Sequence, residues 1–127
     1  MIYGVGTDIV EIPRVAAALE RFGDRFARRI LCEPELRRFA GHRSPAAYLA
    51  KRFAAKEAFT KALGTGIRAP ANWHGVWVAN LRSGKPTLQF TDALQALLDA
   101  RGVGSAHVSL TDERGLASAT VILEARP

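Results

Sequence analysis

The sequence of 127 residues contains one cysteine and one methionine, and aromatic residues make up only 8% of it. Because Cys32 is the only cysteine, an intrachain disulfide and a zinc site built from several cysteines are both excluded, and a reducing compartment suits the chain. No apolar run approaches the ~20 residues of a membrane-spanning helix. No basic segment precedes the apolar start of the chain, as it would in a secretory signal. We therefore expect a cytoplasmic protein that does not enter a membrane.

Lysine is also scarce, with 4 lysines against 14 arginines in a chain whose formal net charge is +6. Arginine is suited to bidentate contacts with phosphates and carboxylates. Eight arginines and four acidic residues lie between residues 14 and 43, so this segment contributes +4 of the net charge. The pattern predicts a polyanionic partner, either a nucleic acid or an acidic protein surface. The alternative is a solvated helix face that binds nothing.

The composition, with 48% hydrophobic and 24% charged residues, is that of an ordinary folded protein, and the length predicts one domain over residues 1–127. The β-branched start predicts a strand over residues 2–12, and the run that begins at Ser44-Pro45 predicts a long helix that ends at Gly64. The elements predicted to follow are a hairpin with its turn around residues 83–86, a helix capped by Thr91 and a hairpin with its turn at residues 113–115. This order indicates an α+β fold with a mainly antiparallel sheet packed against one long helix.

Charged residues in the first strand and in the long helix are the candidates for chemistry. Asp8 interrupts an apolar face of the strand, where a carboxylate is costly to desolvate without a cation or several donors. The helix carries Arg52, Lys56, Glu57 and Lys61 on neighbouring turns, and a bound phosphate would relieve the repulsion between Arg52 and Lys56. If Asp8 faced Glu57, the pair would suit Mg²⁺ held by one or two carboxylates, waters and substrate phosphates. The alternatives are a structural role for Asp8 and an ordinary surface ion pair between Glu57 and Lys61.

Other motifs that would define a catalytic class are absent from the sequence. The chain has neither a P-loop nor the glycine pattern of dinucleotide-binding folds. Its three histidines, His42, His74 and His107, do not have the spacing of metal ligands. There is no nucleophile elbow, and an acidic neighbour raises the pKa of the Cys32 thiol, so covalent catalysis is not indicated.

Two stretches of the chain match the signatures of a known family. They are Gly6-Thr7-Asp8-Ile9-Val10-Glu11-Ile12, and Arg52-Phe53-Ala54-Ala55-Lys56-Glu57-Ala58 continuing to Lys61-Ala62-Leu63-Gly64-Thr65-Gly66-Ile67. Further matches are Arg25-Phe26-Ala27-Arg28-Arg29-Ile30-Leu31, Gly84-Lys85-Pro86 and His107-Val108-Ser109-Leu110. Over nearly its whole length the chain resembles the bacterial holo-[acyl-carrier-protein] synthases, which are 4′-phosphopantetheinyl transferases.

The resemblance implies a reaction in fatty acid biosynthesis. A Mg²⁺-dependent enzyme would transfer the 4′-phosphopantetheine group of coenzyme A to a serine of apo acyl carrier protein and release adenosine 3′,5′-bisphosphate. Family members of this length form trimers, so the resemblance also implies a homotrimer with active sites between subunits. The expected partners are therefore coenzyme A, acyl carrier protein and further copies of the chain.

The resemblance also implies roles for individual residues. Asp8 and Glu57 would ligate Mg²⁺, Lys61 would contact a phosphate as a catalytic group, and Glu57 is our first choice for the general base. The residues expected to bind the coenzyme are Arg52, Lys56, Gly64, Gly84, Lys85, Pro86 and His107. The residues expected to bind the carrier protein are Arg14, Arg21, Arg25 and Phe26.

One position departs from the family's pattern, because Asp112 stands where many relatives have a second histidine. A catalytic role for that histidine cannot be transferred to this chain. Two other functions stay open: a small basic nucleic-acid-binding module, and an inactive relative that only binds coenzyme A. The first does not account for Asp8 in an apolar strand or Glu57 among cations, since acids repel a phosphate backbone unless a metal intervenes. We therefore expect no nucleic-acid partner.

Overall fold

The computed structural model describes residues 1–127 as five strands and five helices. In chain order they are β1 (Ile2–Glu11), α1 (Ile12–Phe22), α2 (Asp24–Ile30), α3 (Glu33–Ala40), α4 (Pro45–Leu63), β2 (Val76–Asn80), β3 (Pro86–Phe90), α5 (Asp92–Ala100), β4 (Val103–Glu113) and β5 (Leu116–Ala125). All strand pairs are antiparallel, in a three-stranded sheet of order β1-β5-β4 and a two-stranded sheet of β2 and β3. The predicted α+β fold class is confirmed, although the strands form two sheets and not one.

Helix α4 is the centre of the fold because most of its 19 residues are buried. The three-stranded sheet and α5 pack on one side of it, around a core of alanine, leucine and valine side chains. The helices α1 to α3 pack on its other side with a second apolar core. The helix begins at Pro45 and ends at Leu63, and Gly64 follows it with the left-handed φ of +88° that favours glycine. Ser44 precedes it as predicted, but the Ser44 side chain makes no capping hydrogen bond.

Strand β1 lies directly against α4 because small residues face each other where the two elements meet. A Cβ added at Gly6 would lie 1.9 Å from the carbonyl oxygen of Ala58, and one added at Gly4 would lie 2.0 Å from that of Ala62. Backbone therefore meets backbone, which only glycine permits. Asp8 follows Gly6 on the same face of the strand, so its carboxylate is held beside the helix.

Local turn and cap residues determine the remaining connections. The turn between β4 and β5 consists of Arg114 and Gly115, whose φ angles of +51° and +78° are those of a two-residue hairpin turn. Thr91 accepts a hydrogen bond from the backbone N–H of Leu94 and so caps α5, as predicted. None of the five helices has the combined length and apolarity needed to cross a bilayer.

The face of the three-stranded sheet that points away from α4 is uncovered in the single chain. Val5 and Ile9 of β1 are 54% and 64% exposed on this face. Polar residues of β4 and β5 lie beside them, including His107 and Thr120. Large apolar side chains that are exposed together on one face indicate a contact surface.

Candidate active site

Three of the predicted residues meet between β1 and α4. The ammonium of Lys61 donates to Oδ1 of Asp8 at 3.2 Å and to the carbonyl of Thr7 at 3.0 Å. Glu57 lies one helical turn before Lys61 and forms no ion pair, because Lys61 is directed to Asp8 instead. Partial burial raises the pKa of Glu57, the charge of Asp8 raises it further, and Lys61 opposes both effects. We call Asp8, Glu57 and Lys61 the carboxylate cluster.

An open cavity of about 650 Å³ lies over the carboxylate cluster. Arg14 and Phe26, two of the residues expected to bind the carrier protein, line the same cavity with Phe53. The cavity therefore combines three carboxylates, of Asp8, Glu11 and Glu57, and two cations with an apolar wall. Such a lining can bind a phosphate-bearing ligand and hold an apolar segment beside it.

Of the residues expected to bind the carrier protein, only Arg21 and Arg25 lie outside this cavity, on α1 and α2. Arg14 is well exposed and lies 4.0 Å from Glu11. Arg21 is exposed near the end of α1, where its guanidinium stacks over Phe22 at 5.2 Å from the ring centroid. Arg25 is exposed on α2. Together they give the exposed surface of α1 and α2 a positive charge.

Arg52 lies on the opposite side of α4 from Lys61, since nine residues of an α-helix correspond to a rotation of about 180°. Its Nη2 donates to Oδ1 of Asn80 at 2.9 Å, and its guanidinium lies 4.1 Å from the ring centroid of Tyr48. The side chain of Asn80 in turn donates to the carbonyl of Gly84 at 3.0 Å. The structure therefore joins Arg52 to the Gly84-Lys85-Pro86 turn and separates both from the carboxylate cluster. We call Arg52, Asn80 and this turn the arginine cluster.

The arginine cluster carries an unused hydrogen-bond donor. Arg52 is only 5% exposed, and its Nε is buried without any acceptor in the protein. Burial lowers the pKa of Arg52. A buried N–H without an acceptor is unfavourable, and the acceptor that a guanidinium binds most strongly is an anion. Asn80 was not predicted from the sequence, and its position just before the Gly84-Lys85-Pro86 turn is the signal that could have found it.

Lys56 does not fit the predicted role of holding the coenzyme. Its side chain is fully buried, and its ammonium donates to Oε1 of Glu35 at 2.7 Å and to the carbonyls of Ile30 and Trp73 at 2.6 and 2.8 Å. Three acceptors satisfy its three donors, so none is left for a phosphate. Lys56 therefore pairs with a carboxylate of α3 and is not available to the anion that we expected it to share with Arg52.

Three further residues discussed in the sequence analysis, Gly64, His107 and Asp112, lie outside both clusters. Gly64 ends α4 one turn beyond Lys61. His107 lies on the uncovered face of the sheet, opposite to the face of Asp8, and its Nε2 is 2.5 Å from Oε1 of Glu124. The hydrogen bond with His107 lowers the pKa of Glu124, and a second one from Ser105 acts in the same direction. Asp112, at the position of the missing histidine, forms an ion pair with Lys51 of α4 at 3.2 Å.

The fold and the carboxylate cluster define the class of this protein. Residues 4–116 match the family model of the 4'-phosphopantetheinyl transferase superfamily, and the chain belongs to this superfamily. Within it the chain is 52% identical over 126 residues to the holo-[acyl-carrier-protein] synthase of Azoarcus sp., which covers 99% of this chain and 100% of that relative. The family predicted from the sequence is confirmed.

Solved structures agree with this assignment. The crystal structure of holo-[acyl-carrier-protein] synthase from Neisseria meningitidis has a TM-score of 0.94 and 43% identity, over 98% of this chain and 99% of that chain. A holo-(acyl-carrier-protein) synthase from Bacillus anthracis, in complex with CoA (3',5'-ADP), has a TM-score of 0.82 and 35% identity, over 98% of each chain.

Proposed function

We propose that this chain is a holo-[acyl-carrier-protein] synthase, which transfers the 4′-phosphopantetheine group of coenzyme A to a serine of apo acyl carrier protein. The observation that carries the proposal is the meeting of Asp8, Glu57 and Lys61 in one cavity. Asp8 lies in one of the two family signatures of the sequence, and Glu57 and Lys61 lie in the other. About half of the chain's residues are identical to those of a named synthase over the full length. A cytoplasmic location is part of the proposal, and the single cysteine suits it.

Magnesium fits the carboxylate cluster. Asp8 and Glu57 are close enough for the charge of one to raise the pKa of the other, so a divalent cation would relieve their repulsion. No group of three or more histidine, cysteine or acidic residues is present that could hold a metal alone. Mg²⁺ does not require such a group, because it commonly binds one or two carboxylates and takes its other ligands from water and substrate phosphates. When bound, Mg²⁺ would neutralise the pyrophosphate and the charge that develops on the leaving phosphate.

The residues of the chain would then position and polarise the reactants. Lys61, half exposed at the cavity, would donate to a phosphate oxygen once its hydrogen bond to Asp8 is released. Glu57 would accept the proton of the carrier serine, directly or through a water, because it forms no ion pair, whereas Asp8 is paired with Lys61. Phe53 and Phe26 would exclude water from the apolar wall of the cavity. Phosphoryl transfer requires little more than this in-line placement and charge stabilisation.

The site is proposed to be completed between subunits. The carboxylate cluster and the arginine cluster lie on different sides of α4, so within one chain a single coenzyme could not contact both. The uncovered face of the three-stranded sheet, with exposed Val5 and Ile9, supplies an apolar surface for a neighbouring copy. A homotrimer would bring the arginine cluster and His107 of one subunit to the carboxylate cluster of the next.

The carrier protein is proposed to dock on α1 and α2. Arg14, Arg21 and Arg25 present positive charge there, and Arg14 and Phe26 also line the cavity. An acidic partner on this surface would be guided so that its serine reaches the carboxylate cluster. The arrangement links partner recognition to the reaction site through a single short pair of helices.

The experiment that tests the proposed function is the intact mass of apo acyl carrier protein after incubation with the enzyme, coenzyme A and Mg²⁺. We expect a gain of one phosphopantetheine, which is lost with EDTA and with Asp8→Asn, and a turnover number that falls at least ~100-fold with Glu57→Gln. Lys51→Gln, which changes a charge of the same helix outside both clusters, should keep full activity. If several apo carrier proteins gain no mass with the wild-type enzyme, the proposed function is wrong.

A further inference from the structure

Two arginines from different helices meet at one amide oxygen. Arg38 of α3 donates from Nη1 to Oδ1 of Asn80 at 3.1 Å, and Arg52 of α4 donates from Nη2 to the same oxygen at 2.9 Å. Neither guanidinium forms an ion pair with a carboxylate. Two like charges therefore converge on a neutral acceptor, and no carboxylate pairs with either of them.

This convergence is unfavourable unless a ligand supplies negative charge. Burial lowers the pKa of Arg52 and the charge of Arg38 lowers it further, while Tyr48 and Glu35 act in the opposite direction. Arg52 nevertheless stays fixed, because its guanidinium stacks on Tyr48 and its partner Asn80 is held by the carbonyl of Gly84. Its Nε is buried and lacks an acceptor. Fixed donors around a missing negative charge are typical of a phosphate-binding site.

The chemistry of the donor substrate indicates which phosphate this is. Coenzyme A carries a pyrophosphate and one phosphomonoester on its ribose, and the released adenosine 3′,5′-bisphosphate keeps the monoester. Under the proposed function the pyrophosphate binds at the carboxylate cluster. The phosphomonoester, which is close to doubly charged at neutral pH, needs a second cationic site, and paired guanidinium groups match its oxygens in geometry and charge.

We propose that Arg38 is a specificity-determining residue, which binds the phosphomonoester of the coenzyme together with Arg52. The inference rests on the proposed function and extends it to a residue outside both signature motifs. Arg38 is exposed, and its single hydrogen bond to Asn80 leaves its other donors available to a ligand. Arg52 supplies the buried, fixed half of the site and Arg38 the half that solvent reaches.

The test compares Arg38→Gln with Arg37→Gln, a neighbour on α3 that pairs with Glu33 at 3.8 Å instead. Calorimetry measures the binding of adenosine 3′,5′-bisphosphate and of adenosine 5′-monophosphate, which lacks the second phosphate. We expect Arg38→Gln to weaken bisphosphate binding about 10-fold, the equivalent of one charged hydrogen bond, and to leave monophosphate binding unchanged. Arg37→Gln should match the wild type with both ligands.

Kinetics provide the second measurement. Arg38→Gln should raise the KM for coenzyme A about 10-fold with an unchanged kcat, and should leave the KM for dephospho-coenzyme A as in the wild type. Equal effects on the two donors, equal effects on the two nucleotides, or no effect on either would each overturn the role of Arg38. Failure of the proposed function would give a different result, because the wild-type enzyme would then modify no carrier protein. Calorimetry of nucleotide binding would still test the role of Arg38.

Discussion

Lys56 and Lys61 lie on the same helix, yet their surroundings give them different tasks. Lys56 is enclosed by Glu35 and two backbone carbonyls, whereas Lys61 is half exposed at the cavity beside Asp8. Glu35 also accepts the backbone N–H groups of Cys32 and Val78. The pair therefore joins α3, α4 and β2, and Asn80 follows Val78 two residues later on the same strand. The buried lysine supports the arginine cluster without touching a ligand.

We expect Lys56→Met to lower the free energy of unfolding by about 3–5 kcal/mol, because it leaves Glu35 buried without its cation. Lys51→Met is the control on the same helix, since its ion pair with Asp112 is partly exposed and should contribute no more than about 1 kcal/mol. Urea unfolding curves measure both. Adding Glu35→Gln to Lys56→Met should recover part of the loss, and a double variant as unstable as the sum of the two singles would contradict this account.

At the level of elements, the backbone contact between β1 and α4 can be tested by substitution. We expect Gly6→Ala to lower the free energy of unfolding by about 3 kcal/mol, because the new Cβ would overlap the carbonyl oxygen of Ala58 at 1.9 Å. Gly41→Ala is the control, since no atom lies within 4 Å of its added Cβ and its φ of −110° suits any residue. Thermal unfolding compares the two. A Gly6→Ala protein as stable as Gly41→Ala would show that the strand can move away from the helix at no cost.

Turn, cap and breaker residues made most of the elements predictable, because these signals are local. Pro45 and Gly64 mark the ends of α4, Thr91 caps α5, and Arg114-Gly115 forms the last hairpin turn. The directions of the α4 side chains were not predictable. The helix is buried on nearly all sides and has no single apolar face, so its sequence does not distinguish the sheet side from the α3 side. For the same reason the burial of Lys56 and the separation of Arg52 from Lys61 required the structure.

The positions of the two clusters predict the activity of a trimer assembled from two different variants. Asp8→Asn removes a residue of the carboxylate cluster, and Arg52→Gln removes one of the arginine cluster. If each site takes one cluster from each of two neighbouring subunits, a mixed trimer has one intact site in about three. We therefore expect variants that are each inactive to recover about one third of wild-type activity when co-expressed with different tags and purified over both.

Carrier-protein modification measures that recovery, with each variant alone as the control. Sites built within single chains would give no recovery in any mixture, because every chain would lack one cluster. Native mass spectrometry of the same samples establishes whether the mixed particle has three copies. Together the two measurements distinguish a trimer whose active sites are formed between subunits from a trimer whose subunits each contain a complete site.

The close backbone contact of β1 with α4 at Gly4 and Gly6 also affects which divalent cation the carboxylate cluster can bind. Peptide groups of the strand and the helix touch at Gly6 and Ala58, so main-chain contact sets the separation of the backbones that carry the neighbouring Asp8 and Glu57. Mg²⁺ requires near-ideal octahedral coordination at about 2.1 Å, whereas the larger Ca²⁺ tolerates irregular, wider shells. A fixed backbone separation would limit how far the two carboxylates can move apart, which favours the smaller ion. Two glycines and two alanines that contact no ligand would thereby influence which divalent cation the enzyme accepts.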